Sequence, residues 1–140
     1  MKTCLPILGL LLLTGDLVQS SAVLEPHLRC PNTARQQPER LIAIGDLHGD
    51  VAATRRALRL AGVLDPHRDV WTGGRTVVVQ VGDQIDRGDD ELHVLALLHS
   101  LSRQARVAGG ALDVLCGNHE VLASMGKFRY ATPGHLSGYL

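Results

Sequence analysis

Apolar residues fall along this chain in two rhythms. Mainly apolar runs at Leu41–Ile44, Thr76–Val81 and Ala111–Leu115 read as short buried strands. Between them the spacing becomes helical. Val51, Thr54, Ala57, Leu58 and Ala61 share one side of a first helix, with Arg55, Arg56 and Arg59 on the opposite, solvated side. Asp50 is placed to cap its start and Gly62 to stop it. Val94, Leu95, Leu97, Leu98, Leu101 and Ala105 form the apolar stripe of a second helix, ended by Gly109 and Gly110, with His93 and His99 on its polar arc. A short third helix is expected around Val121 to Met125. The order β-α-β-α-β predicts an α/β fold with a mostly parallel sheet. In such folds functional groups gather beyond the C-terminal strand ends.

The segments outside this pattern read differently. "MKTCLPILGLLLLTGDLVQSSA" has one Lys, an apolar stretch from Leu5 to Leu13 and small residues up to Ala22. That is the layout of a secretory signal peptide over residues 1–22, and the apolar stretch is too short to span a bilayer. The expected location is the secretory pathway, as an endomembrane-lumen or secreted protein with no membrane contact after cleavage. A retained anchor, a misassigned start codon or an organellar destination are the alternatives, the last disfavoured by Asp16 and the lack of Arg. Residues 23–40, with three Pro and no hydrophobic period, read as a linker. His27 and Cys30 lie there without partners for a metal. "VLDPHRDVWTGGRT", with the only Trp, reads as a loop with His67 exposed.

Composition narrows the function classes. The chain has 140 residues, enough for one domain, and is 45% hydrophobic and 20% charged. Its net charge is +0 and its aromatic content 3%, which gives no footprint for nucleic acid. Of the cysteines, Cys116 ends an apolar strand and is expected to be a small core residue, with a Cys30–Cys116 bridge as the alternative in an oxidising compartment.

Three polar clusters sit at the three strand ends: "GDLHGD" (Gly45–Asp50), "GDQIDRG" (Gly82–Gly88) and "GNHE" (Gly117–Glu120). Each opens with Gly, which allows close backbone approach. Each then offers oxygen or imidazole donors: Asp46 and His48, Asp83, and Asn118 with His119. Such donors suit Mn, Fe or Zn better than Ca. Any one cluster is ordinary turn or capping chemistry. Three together at converging strand ends are hard to produce that way.

These motifs resemble the signatures of the calcineurin-like metallophosphoesterases, within them the phosphoprotein phosphatase superfamily. "VVQVGDQIDRGDDE", "WTGG" and "FRYAT" look most like the Shewanella-like protein phosphatases; the diadenosine tetraphosphatases share the core motifs. The resemblance covers roughly Arg40 to Thr132. It implies a sandwich fold of which residues 41–132 form the N-terminal β-α-β-α-β part. It implies two divalent metal ions held by Asp46, His48, Asp83 and Asn118, with Asp83 shared between them, and a water-derived nucleophile attacking phosphorus in line. Arg87, with Asn118, would bind the phosphate, His119 would protonate the leaving oxygen, and Asp86 would orient its ring. Asp89, Asp90 and Glu91 are expected to favour the start of the second helix by charge. Glu120 is expected at the helix start and not as a ligand.

The family pattern continues past "GNHE" with two further His and another Arg from later segments. His135, in the tail 133–140, is not expected to replace them. The sequence therefore reads as an incomplete domain, a fragment or truncated gene model. The expected activity is metal-dependent hydrolysis of phosphate monoesters, on a phosphorylated protein of the Ser/Thr type or a small phosphoester. The alternatives are a non-catalytic truncated product and a dinucleotide polyphosphate hydrolase.

Overall fold

The computed structural model describes residues 38–134. The expected signal peptide, the linker up to residue 37 with His27 and Cys30, and residues 135–140 with His135 lie outside the described residues. Strands and helices alternate as β1 (Leu41–Ile44), α1 (Val51–Leu60), β2 (Val77–Gln80), α2 (Glu91–Val107), β3 (Ala111–Val114) and α3 (Asn118–Ser124). The strands pair in parallel in the order β1-β2-β3. Ile42 lies opposite Val78, and Val78 opposite Leu112. Parallel neighbours need a crossover, and α1 and α2 supply it. The mixed α/β fold with a parallel sheet is the one the apolar rhythm predicts. No described helix is long and apolar enough to cross a membrane.

Local chemistry sets the helix ends. Asp50 Oδ1 accepts the Ala53 N–H at 2.7 Å and starts α1. Gly62 takes φ +70° just past its end, a conformation that favours glycine. The stripe of α2 is buried at Val94, Leu97, Leu98, Leu101 and Ala105, while His93 and His99 are exposed. These side chains meet Leu58, Val78 and Leu112 in one core. Burying each large aliphatic contributes about 1.5–3 kcal/mol.

Four expectations need correction. β1 is not a buried strand: Leu41 is 66% exposed, because β1 lies at the sheet edge and only Ile42 and Ile44 pack on the core. Cys116 is exposed and not in the core, since β3 ends before it at Val114. The segment between α1 and β2 is more than a loop. Leu64 and Trp71 form an antiparallel bridge and both join the core with Val63. Trp71 donates its backbone N–H to Gln104 Oε1 at 2.8 Å and its indole N–H to the Gly74 carbonyl at 3.1 Å. Lastly, Arg55 is not simply solvated. Its Nε and Nη2 donate to the two oxygens of Asp69 at 2.9 and 2.7 Å. That hydrogen bond holds the Asp69 carboxyl below the usual carboxylate range and raises the guanidinium's own value.

Candidate active site

The loops that follow the three strands are stitched together by backbone and by three polar side chains. The Leu47 and His48 N–H groups donate to the Asp83 carbonyl at 2.9 and 3.1 Å, and Gly49 N–H donates to the Gln84 carbonyl at 2.8 Å. Glu120, at the start of α3, accepts from the N–H groups of Gly117 at 2.7 Å, Asp83 at 2.9 Å and Gln84 at 2.8 Å. One carboxylate thus starts a helix and fastens the second loop to the third. Underneath lies a buried glutamine pair. Gln80 Nε2 donates to the carbonyls of Gly45 at 3.1 Å and Gly82 at 2.6 Å, and Gln84 Nε2 donates to Gln80 Oε1 at 2.5 Å and the Leu115 carbonyl at 3.0 Å. The pair touches all three loops.

Backbone approach is close where the motifs begin with Gly. A Cβ on Gly82, whose φ is +112°, would sit 2.5 Å from Gly117 Cα. His48, Asp83, Asp86 and Arg87 all adopt positive φ, at 45°, 57°, 68° and 69°. Non-glycine residues there cost about 1–3 kcal/mol each, and such strain clusters at functional sites. Every one of them is a residue that the motifs single out.

The side chains converge accordingly. Asp86 Oδ2 lies 2.7 Å from His119 Nδ1, and both side chains are buried. Arg87 Nη2 lies 3.3 Å from His119 Nε2. A guanidinium only donates, so Nε2 is the acceptor and the ring proton sits on Nδ1, facing Asp86. Asp83 Oδ1 accepts the His119 backbone N–H at 2.9 Å. His48 Nδ1 lies 3.0 Å from the Ile85 carbonyl, which only accepts, so Nδ1 carries the proton and Nε2 presents its lone pair. That Nε2 is buried without a hydrogen-bond partner. Asp46 Oδ2 lies 3.4 Å from it.

Ligand atoms of His48, Asp83 and His119 all lie within 4.8 Å of one another. An unpartnered imidazole lone pair beside two carboxylates fits a divalent cation, and nitrogen and oxygen donors are those that Mn, Fe and Zn accept. His119 is the poorest ligand of the group. Asp86 occupies Nδ1, and a guanidinium stands beside Nε2, where a second cation is unfavourable. The donor set Asp46, His48 and Asp83 suits the ion better. Asn118 is exposed as the first residue of α3.

The acidic run after Arg87 stands at the start of α2 as expected, with Asp90 at the N-cap and Glu91 in the first turn, and its side chains do more besides. Asp90 is the N-cap residue of α2, but its side chain makes no capping bond. Asp89 accepts from the Thr132 hydroxyl. Glu91 is 1% exposed, and its Oε1 accepts the Asp86 N–H at 2.5 Å. It secures the loop that carries Asp86. The sequence pattern does not mark Gln80 or Gln84, and it marks Glu91 only as a helix-start carboxylate. The available signal was Gln80 within the run of Val, since a polar group in a buried strand must find partners.

The model of the calcineurin-like phosphoesterase family matches residues 39–140. The chain belongs to the calcineurin-like phosphoesterases. This phosphoesterase is 52% identical over 100 residues to Shewanella-like protein phosphatase 2 of Arabidopsis thaliana, covering 71% of the chain and 25% of that protein. It is 34% identical over 94 residues to Shewanella-like protein phosphatase 1 of Plasmodium berghei, covering 67% of the chain and 26% of that protein. Among solved structures it resembles a cold-active protein tyrosine phosphatase, with a TM-score of 0.64 and 31% identity over 71% of the chain and 30% of that structure. A cold-active protein-tyrosine phosphatase of a psychrophilic Shewanella matches with a TM-score of 0.62 and 32% identity over 67% of the chain and 30% of that structure. The phosphoesterase chain spans about a quarter to a third of the length of the curated relatives it matches. Family membership implies divalent metal at the site.

Proposed function

We propose that this site hydrolyses phosphate monoesters with divalent metal, and that its substrate is a phosphoprotein of the Ser/Thr type. One observation carries the reading. An imidazole fixed by a buried carboxylate and touched by a guanidinium stands beside a cluster of cation-binding donors.

In this reading Asp46, His48, Asp83 and Asn118 would hold two divalent ions, drawn from Mn, Fe or Zn, together with the two further His that the family pattern calls for. Bound metal supplies charge neutralisation and makes water easier to ionise. Arg87 leaves His119 Nε2 and takes phosphate oxygens through its planar fork, and Asn118 would be a second phosphate contact. Nε2 is then free to carry the proton that the leaving oxygen needs. The ester P–O bond breaks, a new P–O bond forms from water, and His119 delivers its proton to the departing alkoxide. Asp86 accepts from Nδ1 throughout and keeps the ring aimed. Such general acid catalysis contributes about 10²–10⁴ in rate.

The names of the curated relatives, protein phosphatases, support a phosphoprotein substrate, and the solved relatives, named protein tyrosine phosphatases, make phosphotyrosine the competing substrate. The test is hydrolysis of an aryl phosphate by the 140-residue chain with added Mn, followed by phosphoserine and phosphotyrosine peptides and a dinucleotide polyphosphate. Turnover of the phosphoserine peptide above the others supports the proposal. Preference for phosphotyrosine or the dinucleotide overturns the substrate, and Mn binding without any turnover favours the non-catalytic alternative. We also propose that the chain enters the secretory pathway, on the pattern of residues 1–22; N-terminal sequencing of the native protein checks cleavage near Ser20 or Ala22.

A further inference from the structure

The segment after α3 turns back onto the Arg87 loop. Ala131 N–H donates to the Phe128 carbonyl at 3.1 Å, which closes a turn around Arg129 and Tyr130. The Arg87 N–H then donates to the Tyr130 carbonyl at 3.0 Å. One residue of backbone thereby holds Arg87 at its strained φ of 69°. Thr132 Oγ1 adds a bond to the Gly88 carbonyl at 3.3 Å.

The Tyr130 ring acts on the same residues. Its centroid lies 4.9 Å from that of His119, and the Arg87 guanidinium carbon lies 5.8 Å from it. The His48 ring approaches His119 at 4.7 Å and a 76° interplanar angle. His119 is therefore bounded by His48, by Tyr130 and, at Nδ1, by Asp86. The ring also carries Arg129, whose guanidinium carbon lies 4.4 Å from the centroid and whose Nη2 donates to the Tyr130 hydroxyl, so the cation–π attraction to Arg87 at 5.8 Å is the weaker of two.

We propose that Tyr130 is a positioning residue, whose ring keeps the Arg87 guanidinium and the His119 imidazole in register for one phosphoryl group. The proposal deepens the phosphatase reading above and rests on it for the identity of the anion. Misplacing Arg87 or His119 by about 1 Å costs about 10²-fold in rate. The ring's face carries the effect, while the hydroxyl is bonded by Arg129 Nη2 and by neither Arg87 nor His119.

The experiment compares Tyr130→Ala, Tyr130→Leu and Tyr130→Phe in the full chain. It reads orthophosphate binding and Mn binding by calorimetry, with aryl phosphate turnover alongside. Tyr130→Ala is expected to weaken orthophosphate about tenfold and to lower kcat about 10–100-fold, with Mn affinity within about twofold of wild type. Tyr130→Leu keeps bulk and fold without an aromatic face, and should fall with Tyr130→Ala. Tyr130→Phe should restore most of the loss. Unchanged orthophosphate affinity in the Ala and Leu variants overturns the proposal. So does a Phe variant as impaired as they are, or a wild-type chain that binds no orthophosphate. Wild type whose orthophosphate affinity depends on Tyr130 but that turns nothing over sinks the phosphatase reading and leaves the positioning role standing.

Discussion

Asp86 Oδ2 stands 2.7 Å from His119 Nδ1, with their side chains 4% and 3% exposed. A carboxylate so deprived of water makes a strong, directional bond, and it decides which ring nitrogen carries the proton. Asp86→Asn should leave the fold intact, because the amide is nearly isosteric. It can present its NH₂ to Nδ1 and reverse the tautomer. Mn-supported hydrolysis of an aryl phosphate should fall about 10²-fold or more, with the melting temperature little changed. His119→Ala should lose at least as much. Near-wild-type turnover in either variant contradicts the assigned roles.

The three loops were legible because their chemistry is local. "GDLHGD", "GDQIDRG" and "GNHE" each follow an apolar run, and a strand end in a parallel sheet fixes where they go. What could not be read was contact across the sequence. Tyr130 meets Arg87 across α2, β3 and α3, which separate them in sequence, and no period or spacing encodes that encounter. Trp71 lies among Gly and Pro that signal a loop, yet the core claims it through its size. Glu91 looked like one more helix-start carboxylate, and only its burial reveals that it binds Asp86 N–H. Edge position likewise overrode composition in β1, where Leu41 faces solvent.

Gln80 is the clearest stability prediction. It is 1% exposed and bonds to Gly45, Gly82 and Gln84. Gln80→Leu removes one amide and strands the polar groups it served. Each buried group left unsatisfied costs about 1–3 kcal/mol, so urea unfolding should show a loss of about 2–4 kcal/mol. The same variant should bind Mn more weakly, since Gly45 and Gly82 each precede a proposed ligand. A loss below about 0.5 kcal/mol would mean that the pair merely fills space.

Asp69 provides a pH signature away from the site. Its carboxyl is held low by the hydrogen bond from Arg55, with the nearby guanidinium charge adding to the effect. A depressed value in the folded state means that folding gains stability above the unfolded value, about 3.9. That gain is lost as pH falls through the folded value. The side chains are 34% and 39% exposed, so screening keeps the gain under about 1 kcal/mol. Asp69→Asn should therefore melt slightly lower than wild type at pH 7, and the gap should close below about pH 4. A gap that persists in acid would point to packing in place of charge.

Metal removal tests the donor set directly. His48 Nε2 is a buried acceptor without a hydrogen-bond partner, beside Asp46 and within reach of Asp83. Binding an ion there should relieve the lone-pair and carboxylate repulsion and stabilise the folded chain. At 100 times its dissociation constant, Mn should add about 2.7 kcal/mol, seen as a rise in melting temperature that EDTA reverses. His48→Ala and Asp83→Asn should each abolish most of that rise. Asp83→Asn carries a second consequence, because Asp83 Oδ1 also accepts the His119 N–H. An Asn there can still accept that bond through its amide oxygen, so the metal-free stability should stay near wild type while the metal response disappears. An equal loss with and without Mn would show that Asp83 serves the fold and not the ion.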